Sequence, residues 1–234
     1  MHKIWVFIIF LFPSLIAQAQ LTNESELGIA GLNGNTKTQT YTAKQLNDYK
    51  WDSNVVGLKA RYLNAKTNGA ETALYFMGGL RYERQLSNHF GLFVGELFEK
   101  DKFTGIEKRL VSDLGGKYRF IDSDMTKFFS ELGYRYMHEN RLDDSSAYSS
   151  YGRAYIEWEN KWNTSFSTKY WLEYLPNFTT NKDWQLNTEL SLSAVLNSTF
   201  SLKSGVLVRN DNSPAPGVIY KTDTLFTTAL VAKF

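Results

Sequence analysis

No cysteine occurs among the 234 residues, which excludes thiol catalysis, cysteine-held metal and disulfide stapling together. Histidine is almost as scarce. Of the three present, His2 lies in an N-terminal leader, so His89 and His138 are the only imidazoles left for acid–base work or metal binding. There are four prolines and no Gly/Ser linker or low-complexity block, so nothing divides the chain into domains. The formal net charge is +2, too small for the basic footprint of a nucleic-acid binder. After Ile16 no apolar run reaches the ~20 residues that a helix needs to cross a bilayer.

What the sequence does contain begins with an export signal. A short basic start (His2, Lys3), an apolar run from Ile4 to Ile16 and the small-x-small triplet Ala17-Gln18-Ala19 predict cleavage after Ala19. Residues 1–19 are therefore expected to be removed, leaving 20–234 as one domain that is nearly neutral. All-β barrels commonly use this much chain as a single unit.

From Asn23 onward the chain alternates apolar and polar residues in segments of about ten, separated by turn chemistry. Around Lys127–His138, Phe128, Leu132, Tyr134 and Tyr136 share one face, and Glu131, Gly133 and Arg135 share the other. The segment 183–196 repeats the pattern, with Trp184, Leu186, Leu190 and Leu192 opposed by Gln185, Asn187, Glu189 and Ser193. The period predicts about twelve strands, at 23–31, 37–48, 53–64, 71–85, 90–99, 107–120, 127–138, 147–159, 164–175, 183–196, 199–210 and 220–234. Tight turns are expected after the even-numbered strands. After the odd-numbered ones longer polar stretches are expected (65–69, 100–105, 139–146, 176–182, 211–217), apart from a tight first hairpin at Asn33-Gly34-Asn35.

Short connections at one end and long ones at the other mark outer-membrane barrels, with the short turns in the periplasm. Alternation alone does not separate such a barrel from a secreted β-sandwich, because only the direction of the apolar face differs. Aromatic placement separates them better. Trp51, Trp158 and Trp162 fall near the expected periplasmic ends, and Tyr62, Tyr136, Tyr174 and Trp184 near the opposite ends. Together they predict two interfacial girdles. The last strand ends on Phe234, with Leu230 and Phe226 in its outward row, as in the terminal strand that barrel-insertion machinery engages. The predicted fold is all-β: an antiparallel up-and-down transmembrane β-barrel of about twelve strands, located in the bacterial outer membrane.

Three segments carry a family resemblance: E-L-G-x-A…N-G-N-T (Glu26 to Thr36), L-R-Y-E-R (Leu80 to Arg84) and, most specific, P-A-P-G-V-x-Y-K-T-D-T (Pro214 to Thr224). Asp101 with Phe103-Thr104-Gly105 adds a short D-x-F-x-G match. The chain resembles the salt-induced outer-membrane protein family over essentially its whole mature length. That resemblance implies an outer-membrane β-barrel. It brings no established activity and no catalytic residues.

With the apolar rows facing lipid, the lumen is expected to receive Arg81, Glu83, Asp113, Lys117, Arg119, Glu131, Arg135, Arg153, Glu157, Lys169, Glu173, Glu189 and Lys203, with Lys59, Arg61, Glu159 and Arg209 on the same faces. The signs are mixed. Such an interior either fills and stiffens the barrel through ion pairs or lines a narrow small-solute or ion pore. The leading expectation is a non-catalytic envelope protein, linked to osmotic stress and without cofactor. Its expected partners are outer-membrane lipids, periplasmic chaperones and the insertion machinery. The alternative is an interfacial lipid-modifying enzyme built on His138. Outer-membrane phospholipases place a serine two residues later on that face, and here the position is Asn140. Glu157 with Glu159 and Asp143 with Asp144 are the remaining acid pairs, and Asn163, Asn177 and Asn197 are expected to shape turns.

Overall fold

The computed structural model describes residues 20–32, 37–215 and 218–234. The leader, the Asn33–Asn35 hairpin and Gly217 lie outside these residues. Twelve strands follow one another in chain order: β1 (Gln20–Leu32), β2 (Thr38–Trp51), β3 (Asn54–Thr67), β4 (Ala70–Gln85), β5 (Phe90–Asp101), β6 (Ile106–Asp122), β7 (Thr126–Arg141), β8 (Ser146–Lys161), β9 (Phe166–Pro176), β10 (Trp184–Val195), β11 (Phe200–Asp211) and β12 (Thr222–Lys233). Each pairs antiparallel with its neighbours in sequence, and β12 pairs with β1 to close the barrel. Closure is what lets a sheet satisfy its backbone with no edge left over. The closing seam is short, joining Glu24–Gly28 to Lys233–Ala229.

The barrel is polar inside and apolar outside. Leu58, Leu80, Leu132, Leu190 and Phe226 are exposed on the outer wall, while Glu83, Glu131, Arg153 and Glu173 are buried within. An outer band rich in leucine and phenylalanine around most of the wall is a surface made for hydrocarbon, since a soluble monomer rarely carries so large an apolar patch. No helix among the described residues is long and apolar enough to cross a membrane. The strands do the crossing.

The connections are less asymmetric than the sequence predicts. At the end opposite the termini, β3–β4 turns on Asn68-Gly69 alone, both at positive φ (52° and 83°), and residues 102–105 and 142–145 are also short. Only 177–183 and 212–221 are long. The alternation that reads as loop in Ala65–Thr67 and Glu139–Arg141 belongs to strands that continue past the expected ends. The asparagines work as expected for turns. Asn163 Oδ1 accepts from the amides of Ser165 (2.8 Å) and Phe166 (2.9 Å), and Asn197 Oδ1 from those of Thr199 (2.9 Å) and Phe200 (2.8 Å).

One pair of glycines shapes the lumen. Gly115 and Gly133 face each other across β6 and β7, and a Cβ on Gly115 would lie 2.4 Å from the Leu132 carbonyl oxygen and 2.8 Å from the Phe93 ring. Gly115→Ala should therefore lower the unfolding midpoint of the refolded barrel. Gly78→Ala should leave it unchanged or raise it, because a Cβ there meets only the Phe76 ring at 3.9 Å. Equal midpoints for the two variants, measured by thermal unfolding in detergent, would contradict this packing.

Candidate functional site: the charged lumen and its mouth

Strand register sends every expected lumen residue inward. Arg81, Glu83, Asp113, Lys117, Arg119, Glu131, Arg135, Arg153, Glu157, Lys169, Glu173, Glu189 and Lys203 all lie on the inner row. Most of them join one belt. Glu131, 3% exposed, accepts from Arg81 Nη2 at 2.6 Å and Arg153 Nη1 at 2.7 Å. Arg153 Nε continues to Glu173 at 2.7 Å. Glu173 also takes Arg135 Nη2 at 3.0 Å, and Arg135 grips Asp113 with two nitrogens at 2.7 and 2.8 Å. Glu83 collects Arg81, Lys117 and Arg119. The Arg81 guanidinium stacks on the Phe93 ring at 3.9 Å, which uses the space left by Gly115. Arginine suits this role because its planar fork bridges two carboxylates at once.

Directly opposed charges do not always pair. Lys117 faces Glu131 in the register yet bonds Glu83 at 3.2 Å, and Lys169 faces Glu159 yet bonds Glu157 at 2.7 Å. Inward side chains converge on the concave face of a closed wall, so long ones reach partners beyond the directly opposed residue, here along the neighbouring strand for Lys169 and two strands away for Lys117. Arg81 on β4 consequently reaches Glu131 on β7, three strands away around the ring.

A second cluster joins the seam strands: Glu26 accepts from Lys44 at 3.1 Å and Lys203 at 2.9 Å, and Glu189 lies 3.4 Å from Lys203. A third occupies the loop end. There Arg109 lies between Glu139 (2.8 Å) and Glu99 (3.4 Å), Tyr75 donates to Glu99 at 2.8 Å, and Arg209 lies over the Tyr75 ring at 4.4 Å. Arg209 Nη1 is 3.8 Å from Asp101 Oδ2. Their strands, β11 and β5, stand on opposite walls of the ring, so this contact crosses the whole lumen. Around it is a cavity of about 290 Å³, a vestibule lined in part by Ser213, Pro214, Ala215, Val218 and Tyr220, of which Ala215 and Val218 pack against Gly105.

Sequence reasoning missed Glu26, Lys44, Glu99, Asp101, Arg109 and Glu139. The first two lie on β1 and β2, where the outer row is itself polar. Asn23, Ser25, Gln45 and Asn47 hydrogen-bond one another there, so the alternation that reveals a face is absent. Asp101 and Glu139 fell in segments read as loops, although the alternation continues through both.

The catalytic candidates are not assembled. His138 faces outward and stacks on Tyr148, with ring centres 4.2 Å apart, while the Ser150 hydroxyl is held by Tyr134 at 2.6 Å. Asp143 is an exposed loop residue whose carboxyl is held below its usual range by the Ser145 hydroxyl and amide. Among the described residues no group of three or more acidic or histidine side chains is placed to hold a metal.

The girdle residues Trp51, Tyr62, Tyr136, Trp158, Tyr174 and Trp184 all lie on the outer row, with Tyr49–Trp51 and Tyr174–Trp184 ring contacts at 5.4 and 6.2 Å. Phe226 and Phe234 are among the most exposed residues of that row, and Leu230 lies between them.

Residues 25–234 match the profile of a protein family described as of unknown function, DUF481. The chain belongs to this family. The match runs from within β1 to the end of the chain, and the family's description names neither an activity nor a salt response. No curated protein matches the sequence. Among solved structures, the COG4313 outer-membrane channel from Pseudomonas putida F1 superposes with a TM-score of 0.57 at 10% identity, covering 96% of this chain and 100% of that one. The NanC porin gives 0.51 at 11% identity, covering 92% and 98%. At these identities the likeness is one of fold. In this chain the family's fold is a closed twelve-strand antiparallel barrel of the outer-membrane type.

Proposed function

We propose that the protein is a non-catalytic outer-membrane barrel whose lumen is a narrow, mixed-charge passage for small polar solutes, linked to envelope adjustment under osmotic stress. The observation that carries this reading is the Arg209–Asp101 contact across the mouth, in series with the Arg81–Glu131–Arg153–Glu173 belt. Ion pairs between opposite walls set the width of a water-filled lumen and, unlike a packed apolar plug, respond to ionic strength. Both signs line the path, so weak ion selectivity follows. Exchange of its signal for a mature barrel would use periplasmic chaperones and the insertion machinery, with Phe226, Leu230 and Phe234 as the recognised row.

Planar-bilayer recording tests the passage. Discrete openings of small conductance are expected, with reversal potentials showing little preference for either ion. Arg209→Ala should raise the conductance by removing the contact across the mouth. No openings in either protein over a range of voltages would end the channel reading.

A further inference from the structure

The outer wall changes character at β1 and β2. On the lipid-facing row of β2 the positions between Tyr49 and Tyr41 are Asn47, Gln45 and Ala43, so no large apolar side chain lies between two exposed tyrosines. At about 3.3 Å per residue and a tilt of about 40°, that span rises about 20 Å, most of an apolar band ~25 Å tall. The neighbouring row of β1 carries Asn23 opposite Asn47 and Ser25 opposite Gln45. It is the outer row, because Leu27 further along it is 65% exposed and lies opposite Leu230.

These four side chains bond one another without satisfying one another. Ser25 Oγ donates to Gln45 Oε1 at 2.6 Å, and Gln45 Nε2 donates to Asn23 Oδ1 and Asn47 Oδ1, both at 3.0 Å. Among the described residues nothing accepts from the Nδ2 groups of Asn23 and Asn47. Hydrocarbon offers them no acceptor either, so this is a costly surface to leave against lipid.

Symmetry identifies what fits it. Copies inserted in one membrane share one orientation, so a two-fold axis along its normal sets each outer residue against its own counterpart at the same depth. Amides and hydroxyls both donate and accept, and therefore match themselves. Glu96 also lies on an outer row, on β5 between Leu80 and Ser112, but at such an axis it would meet a second carboxylate and repel it. Beside the polar patch, Ala43 and Ala60 keep the wall low, which lets two backbones approach as small residues do between membrane segments.

We propose that two copies of this chain pack side by side through the outer faces of β1 and β2, with Asn23, Ser25, Gln45 and Asn47 of each hydrogen-bonded to the same four residues of the other. The short β1–β12 seam borders this contact. The dimer stands whether or not the lumens conduct ions.

The test uses the exported chain refolded into phospholipid vesicles over a range of lipid-to-protein ratios. Because the chain has no cysteine, the single replacements Ser25→Cys, Gln45→Cys and Asn47→Cys each offer one reactive thiol to a short bis-maleimide. At least one should give cross-linked dimers that persist on dilution with lipid. Leu132→Cys, 70% exposed on β7 across the ring, should give only the yield of random collisions. In the triple variant Asn23→Leu/Gln45→Leu/Asn47→Leu, energy transfer between labelled copies should show association about ten-fold weaker, the effect of two or three membrane hydrogen bonds. Gel mobility before and after heating shows whether that variant has folded, and cross-linking decides alone where it has not. Monomers at every dilution, patch cross-links no more abundant than those through Leu132→Cys, or unchanged association of the folded triple variant would overturn the dimer.

Discussion

Replacing Glu131 with alanine is expected to destabilise the barrel by roughly 3–5 kcal/mol, the cost of breaking a buried ion pair from one side. Glu131 is the most enclosed carboxylate of the belt and receives Arg81 and Arg153 together. Its loss leaves the Arg153 guanidinium, itself 8% exposed, with Glu173 at 2.7 Å and the more distant Asp113 at 3.9 Å to balance it. Arg81→Ala should cost less. About a third of the Arg81 side chain is exposed, so water takes over part of its role towards Glu131. The double variant Glu131→Ala/Arg153→Ala should lose less than the sum of the single losses, because each single change strands the other partner. Urea unfolding in phospholipid vesicles measures these variants, Arg153→Ala alone and the wild type. Additive losses would mean that the two side chains do not act as one unit.

The second large effect concerns the two faces of β10. Leu190 is half-exposed on the outer row between Tyr170 and Val206, and arginine there should cost about 2–4 kcal/mol, as a cation near the bilayer midplane does. Three residues on, Ser193 faces the lumen between Ser167 and Lys203. Ser193→Arg should cost less, since its charge stays in a polar interior with Glu189 on the same strand face. The comparison isolates the surroundings, because strand and introduced side chain are the same. Equal costs would mean that the inner and outer rows are assigned the wrong way round.

The fold was legible because its signal is local. A strand sends alternate residues to opposite faces whatever its neighbours do, so Leu190 and Glu189 already declared their faces in the sequence, as did Tyr134 and Arg135. The turn asparagines and the apolar row ending at Phe234 were readable for the same reason. Strand ends were less so. Polar residues continue the alternation beyond the apolar band, which made Asp101 and Glu139 look like loop when they belong to the ion-pair network of the mouth.

The sequence by itself determined a barrel of about twelve strands, most of the charges that face inward and, with no cysteine in the chain, the absence of thiol chemistry. Only the tertiary structure decided which charge meets which. Arg81 with Glu131, Lys117 with Glu83 and Arg209 with Asp101 are joined by the curvature and stagger of a closed sheet, and these depend on every strand at once.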